Sequence, residues 1–177
     1  MRMTSVVAAI ASGLVLSACG AWQSVSDGTA SAYHAVFHKQ VKVLDVDLNA
    51  RASLNPDEAQ RPTSVVVRVY QLKDRKTFDS ASYDDLLKND RVLLAQDLLD
   101  MKGVRVTPGG AVSVTQPIQA DARYVAVVAF FRDPVQDKPW RRVIEKKALS
   151  ADDPLKLELV ANELVLPSDV ARERPGS

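Results

Sequence analysis

From Gln40 onward the hydrophobic positions fall mostly into short extended runs separated by turns rich in proline and glycine. Val41 and Val43 alternate on one parity, then Leu44, Val46 and Leu48 on the other. A parity change inside one strand predicts a bulge or bend there. Val65-Val66-Val67-Arg68-Val69-Tyr70 is dense in β-branched and aromatic residues and nearly apolar on both parities. This predicts a central strand over 64–72, covered on both faces. Tyr124 to Phe131 repeats the pattern and predicts a second one. Val104 to Val106 and Val112 to Val114 read as strands flanking a turn at Pro108-Gly109-Gly110. Trp140 to Leu149 alternates with many charges, as an edge strand does. Leu155, Leu157 and Leu159 face in while Lys156 and Glu158 face out, and Glu163 to Leu166 continues or pairs with that strand.

The period changes over about 78–99. Ser82-x-x-Asp85 resembles a capping box, and Tyr83, Leu86 and Leu87 share a helical face. Asp90 is positioned to cap a second turn carrying Leu93, Leu94, Leu98 and Leu99, with the leucines facing a small core of their own. The aspartates read as helix N-terminal charges. Many short strands between proline and glycine turns predict an all-β fold. The expected architecture is a two-sheet antiparallel sandwich over 40–167 with one helical insertion and a frayed tail at 168–177.

Before residue 40 the pattern is different. Met1, Arg2 and Met3 precede an apolar run from Val6 to Leu16 that is too short to span a bilayer. It closes on Leu16-Ser17-Ala18-Cys19, which resembles the bacterial lipobox, and Cys19 is the chain's one cysteine. The resemblance implies a signal peptide over 1–18, cleavage before Cys19 and acylation of that residue. Stable anchoring takes more than one acyl chain, each buried methylene contributing about 0.8 kcal/mol. Gly20 stands where an aspartate would resemble an inner-membrane retention signal, so the outer membrane is the expected destination. Residues 19–39 are small and polar and read as a flexible tether reaching roughly 25 Å.

Charge and chemistry narrow the function. The chain has 23 basic and 22 acidic side chains, and of these only Arg2 lies in the signal. So balanced a surface gives no electrostatic footprint for nucleic acid or anionic lipid. His34 and His38 have metal-ligand spacing but no third ligand nearby, so no metal and no cofactor is expected. There is no Gly-x-Ser-x-Gly elbow and no phosphate-cradling glycine loop. The acidic pairs Asp84-Asp85 and Asp152-Asp153 are sequence neighbours and do not converge on one substrate. No enzyme is expected.

The ordered set behind the lipobox resembles one family, the type VI secretion outer-membrane lipoproteins (TssJ, SciN or VasD). It comprises Leu54-Asn55-Pro56-Asp57, then Pro62-x-x-Val65-Val66-Val67-Arg68-Val69-Tyr70-Gln71-Leu72-Lys73. Phe78-x-x-Ala81-x-Tyr83-x-x-Leu86, the Pro108-Gly109 turn, Tyr124 to Arg132 and Trp140-Arg141 follow. The resemblance implies a transthyretin-like sandwich on the periplasmic face of the outer membrane. It also implies a structural role: binding the periplasmic C-terminal region of TssM, which with TssL completes the envelope-spanning complex.

In that family the loop after the first strand contacts TssM, which here points to Asn55, Pro56, Asp57, Glu58, Gln60 and Arg61. Two prolines lower the loop's free-state entropy, and the mixed charges suit partner selection. The loop is expected to bury little, and the Asp133–Pro139 loop is a second possible contact. The alternative is a free-standing periplasmic module binding a glycan or small ligand in an aromatic pocket. Only two tryptophans, one of them in the tether, weaken that reading.

Overall fold

The structure, a computed structural model, describes residues 40–134 and 139–172. The signal, Cys19, the tether with His34 and His38, the middle of the Asp133–Pro139 loop and the tail beyond 172 lie outside the described residues. Strands β1 (Val43–Ala50), β4 (Ala111–Pro117), β7 (Leu155–Val160) and β8 (Glu163–Val165) form one four-stranded sheet in the order β4-β1-β7-β8. Strands β2 (Val65–Leu72), β3 (Leu98–Val106), β5 (Tyr124–Phe130) and β6 (Arg141–Glu145) form a second, in the order β3-β2-β5-β6. The main core lies between the sheets. It holds Leu44, Val46, Leu48, Leu157 and Leu159 from the first sheet and Val65, Val67, Val69, Val125 and Val127 from the second. The expected all-β sandwich is the fold.

Two local expectations differ. No bulge interrupts β1, whose register with β4 runs unbroken from Val43↔Pro117 to Asn49↔Ala111. Val41 precedes the strand and Val43 is 46% exposed, so the parity change falls where the lead-in meets the strand. The register shift lies instead between β2 and β3, at Gln71/Leu72. One pair, β1 with β7, is parallel within the otherwise antiparallel sheets. The chain leaves β6 at the same end where β1 begins, crosses to the first sheet, and must then run up beside β1.

Helices α1 (Lys76–Ser80) and α2 (Tyr83–Leu93) lie on the outer face of the second sheet. The capping box forms: Ser82 Oγ accepts from the Asp85 N–H, and Asp85 accepts from the Ser82 N–H. The Ser82 hydroxyl and then the Ser82 N–H, both donating to the Asp85 carboxyl, hold it below its ordinary pKa. The helical insertion is shorter than expected, because Leu98 and Leu99 begin β3. Leu98 pairs with Leu72, and strand pairing overrides the helical period. The expected small core of the insertion is present as a second cluster, shared with the outer face of the sheet. Leu86 and Leu94 pack with Phe78 on Tyr70, Leu72, Ala126, Val128 and Phe130. This second layer explains why β2 and β5 are apolar on both parities.

Asp90 is not a solvated helix-end charge. It is 8% exposed, and its Oδ2 accepts from Arg68 Nη1 and from the Tyr70 hydroxyl, each at 2.9 Å. Asn89 leaves helical geometry (φ −134°) and kinks α2. The Arg68 guanidinium donates to the Leu86 and Leu87 carbonyls just before that kink and lies 4.6 Å over the Phe130 ring. Burial raises the Tyr70 hydroxyl pKa well above its usual value.

Candidate functional site: the upper pole of the sandwich

β1 runs from the end where the chain enters the domain to the opposite end, about 25 Å away for eight residues. At the lower pole Ile118 N–H donates to the Lys42 carbonyl, fixing the lead-in there. At the upper pole the β1–β2, β3–β4, β5–β6 and β7–β8 connections gather.

Asn55 assembles this pole. Its side-chain amide donates to Thr63 Oγ1 (2.8 Å) and the Ser64 carbonyl (2.9 Å), closing the base of the β1–β2 loop. Its Oδ1 accepts from the Arg132 N–H at 2.8 Å, joining the β5–β6 connection. Its backbone N–H donates to the Ala161 carbonyl at 2.8 Å, joining the β7–β8 turn. Asn55 stands at φ 49°, where asparagine is among the few side chains tolerated, and is 2% exposed beside the fully buried Leu54. It is therefore scaffold and not contact surface, and the loop base buries more than the sequence suggests.

Asp57 organises the tip. Its Oδ1 accepts from the Ala59 and Arg61 N–H groups, each at 2.9 Å, and its Oδ2 accepts from Arg61 Nε at 2.8 Å. The Arg61 N–H and then the Arg61 guanidinium hold its carboxyl below the usual aspartate range. Gln60, at φ 59°, turns the chain back. Pro56 and Asp57 are half-buried, while Glu58, Gln60 and Arg61 are exposed at the summit. Of the six residues expected at this site, these three present free side-chain surface. Arg132 and Asp133 of the neighbouring connection are exposed as well.

This pole is a polar loop assembly joined by the hydrogen bonds of Asn55 and Asp57. Among the described residues no group of three His, Cys, Asp or Glu is arranged to hold a metal, and no helix is long and apolar enough to cross a membrane.

The family described as "Type VI secretion lipoprotein, VasD, EvfM, TssJ, VC_A0113" matches residues 42–162. The chain belongs to the type VI secretion lipoprotein family. A chain of a solved structure described as "Type VI membrane complex" is 42% identical to this lipoprotein, with a TM-score of 0.68. That match covers 72% of this chain and 98% of the other. A second, from a structure described as "T6SS protein TssM C-terminal domain (869-1107) from EAEC", is 39% identical with a TM-score of 0.63 and covers 71% and 98%. The lipoprotein TssJ1 from Pseudomonas aeruginosa, at 23% identity and a TM-score of 0.59 over 77% of this chain and 99% of its own, shares the fold. No curated protein gives a match.

In this lipoprotein several residues that carry the family resemblance have visible structural work. Gln71, fully buried, donates to the Pro117 carbonyl and accepts from the Gln119 N–H, so it straps the sheets together at the lower pole. Arg141 donates to the Phe78, Asp79 and Ala81 carbonyls and so closes the C-terminal end of α1. Trp140 meets Tyr83 edge-on at 5.0 Å. The Tyr83 hydroxyl donates to the Phe131 carbonyl, and burial pushes its pKa up to about 12. Thr63 closes the expected loop, whereas Arg132 and Ala161 were not foreseen as its partners. The one sequence signal for them is Asn55 itself, a residue type that tolerates positive φ and hydrogen-bonds backbone groups.

Proposed function

We propose that this lipoprotein is a two-ended tether of the type VI secretion membrane complex. Acylated Cys19 holds it to the periplasmic face of the outer membrane. The upper pole binds the periplasmic C-terminal region of TssM, with TssL completing the assembly at the inner membrane. Its role is structural, without catalysis. The observation that carries this reading is polarity: the chain enters the domain at one pole, and the loop from Asn55 to Thr63 projects from the other. A tether needs its anchor and its grip at opposite ends. Support also comes from the family membership and from the similar chain in the structure whose description names the TssM C-terminal domain.

Glu58, Gln60 and Arg61 make the contact, and Asn55, Pro56 and Asp57 shape the loop that presents it. Replacing Glu58, Gln60 and Arg61 together by alanine leaves the Asn55 clamp and the Asp57 carboxylate's bond to the Ala59 N–H in place. The triple variant should weaken binding of the TssM periplasmic region at least tenfold, about 1.4 kcal/mol. Calorimetry with the full-length lipoprotein in detergent measures this. Unchanged affinity in a folded variant moves the contact off this loop.

A further inference from the structure

We infer that Tyr83 is a positioning residue for the partner-binding loop, acting through the single peptide unit between Phe131 and Arg132. β5 ends at Phe130, so the next peptide lies beyond the strand and takes side-chain partners instead. Its carbonyl accepts from the Tyr83 hydroxyl, and its N–H donates to Asn55 Oδ1 at 2.8 Å. The peptide is trans, so the two bonds point in opposite directions from one rigid plane. On one side is the helical layer; on the other is the β1–β2 loop.

Every donor along this line points the same way. The Tyr83 hydroxyl donates to the peptide and the peptide to Asn55. Asn55 Nδ2 donates to Thr63 Oγ1, which donates back to the Asn55 carbonyl. Hydrogen bonds in series polarise one another, so losing the first weakens those downstream. The same peptide brings Arg132 toward the loop tip. The Arg61 bonds hold the Asp57 carboxyl below its usual range, and the Arg132 charge adds to them.

Tyr83 is a fixed post because its own place is determined from several sides. The Ser82 capping box sets the start of α2, and Arg141 from β6 donates to the Ala81 carbonyl just before it. Phe130 and Trp140 meet the Tyr83 ring edge-on at 5.7 and 5.0 Å. Burial raises the hydroxyl pKa to about 12, so it remains a donor at neutral pH. The effect on binding rests on the upper pole being the TssM contact, whereas the effect on the loop does not.

The test is Tyr83→Phe, which removes one hydroxyl and keeps the ring. In nitrogen-labelled full-length lipoprotein in detergent, the signals of the Arg132 N–H, the Asn55 side-chain amide and the Ala59 and Arg61 N–H groups should all shift. Calorimetry where the variant is fully folded should show binding of the TssM periplasmic region weakened about fivefold, the scale of one hydrogen bond. Phe78→Leu loosens the same helical layer without touching this line of bonds, and should lower the urea midpoint while leaving affinity unchanged. In an Asn55→Ala background Tyr83→Phe should have no further effect on affinity, since the peptide N–H has lost its acceptor. Unmoved signals at Arg132 and Asn55 would overturn the inference whatever the partner does. So would unchanged affinity in Tyr83→Phe where the Glu58, Gln60 and Arg61 triple variant loses it, or an equal loss in Phe78→Leu. If neither Tyr83→Phe nor the triple variant changes affinity, the contact reading has failed instead. The Ala59 and Arg61 signals then decide alone: movement upholds the positioning role and stillness overturns it.

Discussion

A single asparagine sets the geometry of the upper pole. Asn55 Nδ2 reaches the far end of its own loop at Thr63 and Ser64, and its Oδ1 reaches Arg132 in the β5–β6 connection. Alanine at this position removes three part-buried hydrogen bonds, each contributing about 0.5–1.5 kcal/mol net. Asn55→Ala should therefore destabilise the domain by roughly 2–3 kcal/mol, read as a lower urea midpoint with unchanged slope. A loss under about 0.5 kcal/mol would mean the clamp is dispensable. Asp57 makes a pH prediction. Its folded pKa is depressed, so its stabilisation of the loop is complete above the ordinary aspartate value and is lost as pH falls through the lower folded value. The amide signals of Ala59 and Arg61 should titrate with a midpoint below 3.8, and a midpoint at or above that value would contradict the observed bonds.

Among elements, the helical layer is held by arginines of the sheet beneath it. Arg68 from β2 holds α2 at its kink through two carbonyls and the Asp90 carboxylate. Arg141 from β6 holds α1 through three carbonyls. Arg68→Met keeps the aliphatic stem over Phe130 but leaves Asp90 buried with only the Tyr70 hydroxyl as a side-chain partner. Breaking one side of a largely buried pair costs about 3–5 kcal/mol, toward the lower end here because Arg68 retains 23% exposure. Adding Asp90→Asn to Arg68→Met should recover part of that loss. Denaturant unfolding of the single and double variants measures it, and additive losses would show that the two side chains are not coupled.

At the scale of the whole molecule, the proposed anchor at Cys19 and the described core are far apart in sequence. The buried core among the described residues runs from Leu44 to Val165. Cys19→Ser should leave the domain with unchanged thermal stability, release it from the membrane fraction and abolish type VI secretion. Fractionation and a secretion assay decide this. Full secretion by the unlipidated protein would remove the anchor from the function, unless the domain is retained on the membrane through its partner.

Sequence alone determined the strands that bury apolar side chains with a two-residue period, such as β1 and β7, and the capping box at Ser82. Both are local: a side-chain parity or a three-residue hydrogen bond needs no distant partner. The double-faced apolarity of β2 and β5 announced cover on both sides, but not that α1 and α2 supply it. Only the tertiary structure assigned Leu98 and Leu99 to β3, because pairing with β2 outweighs a helical period over a few residues. It alone drew Asp90 into a buried pair with Arg68, and it turned Asn55 from an expected contact into an internal clamp. Those outcomes depend on residues Arg68, Arg132 and Ala161 arriving from other strands and turns. Hydrogen-bond partners brought together by topology leave no mark on the spacing of the residues that use them.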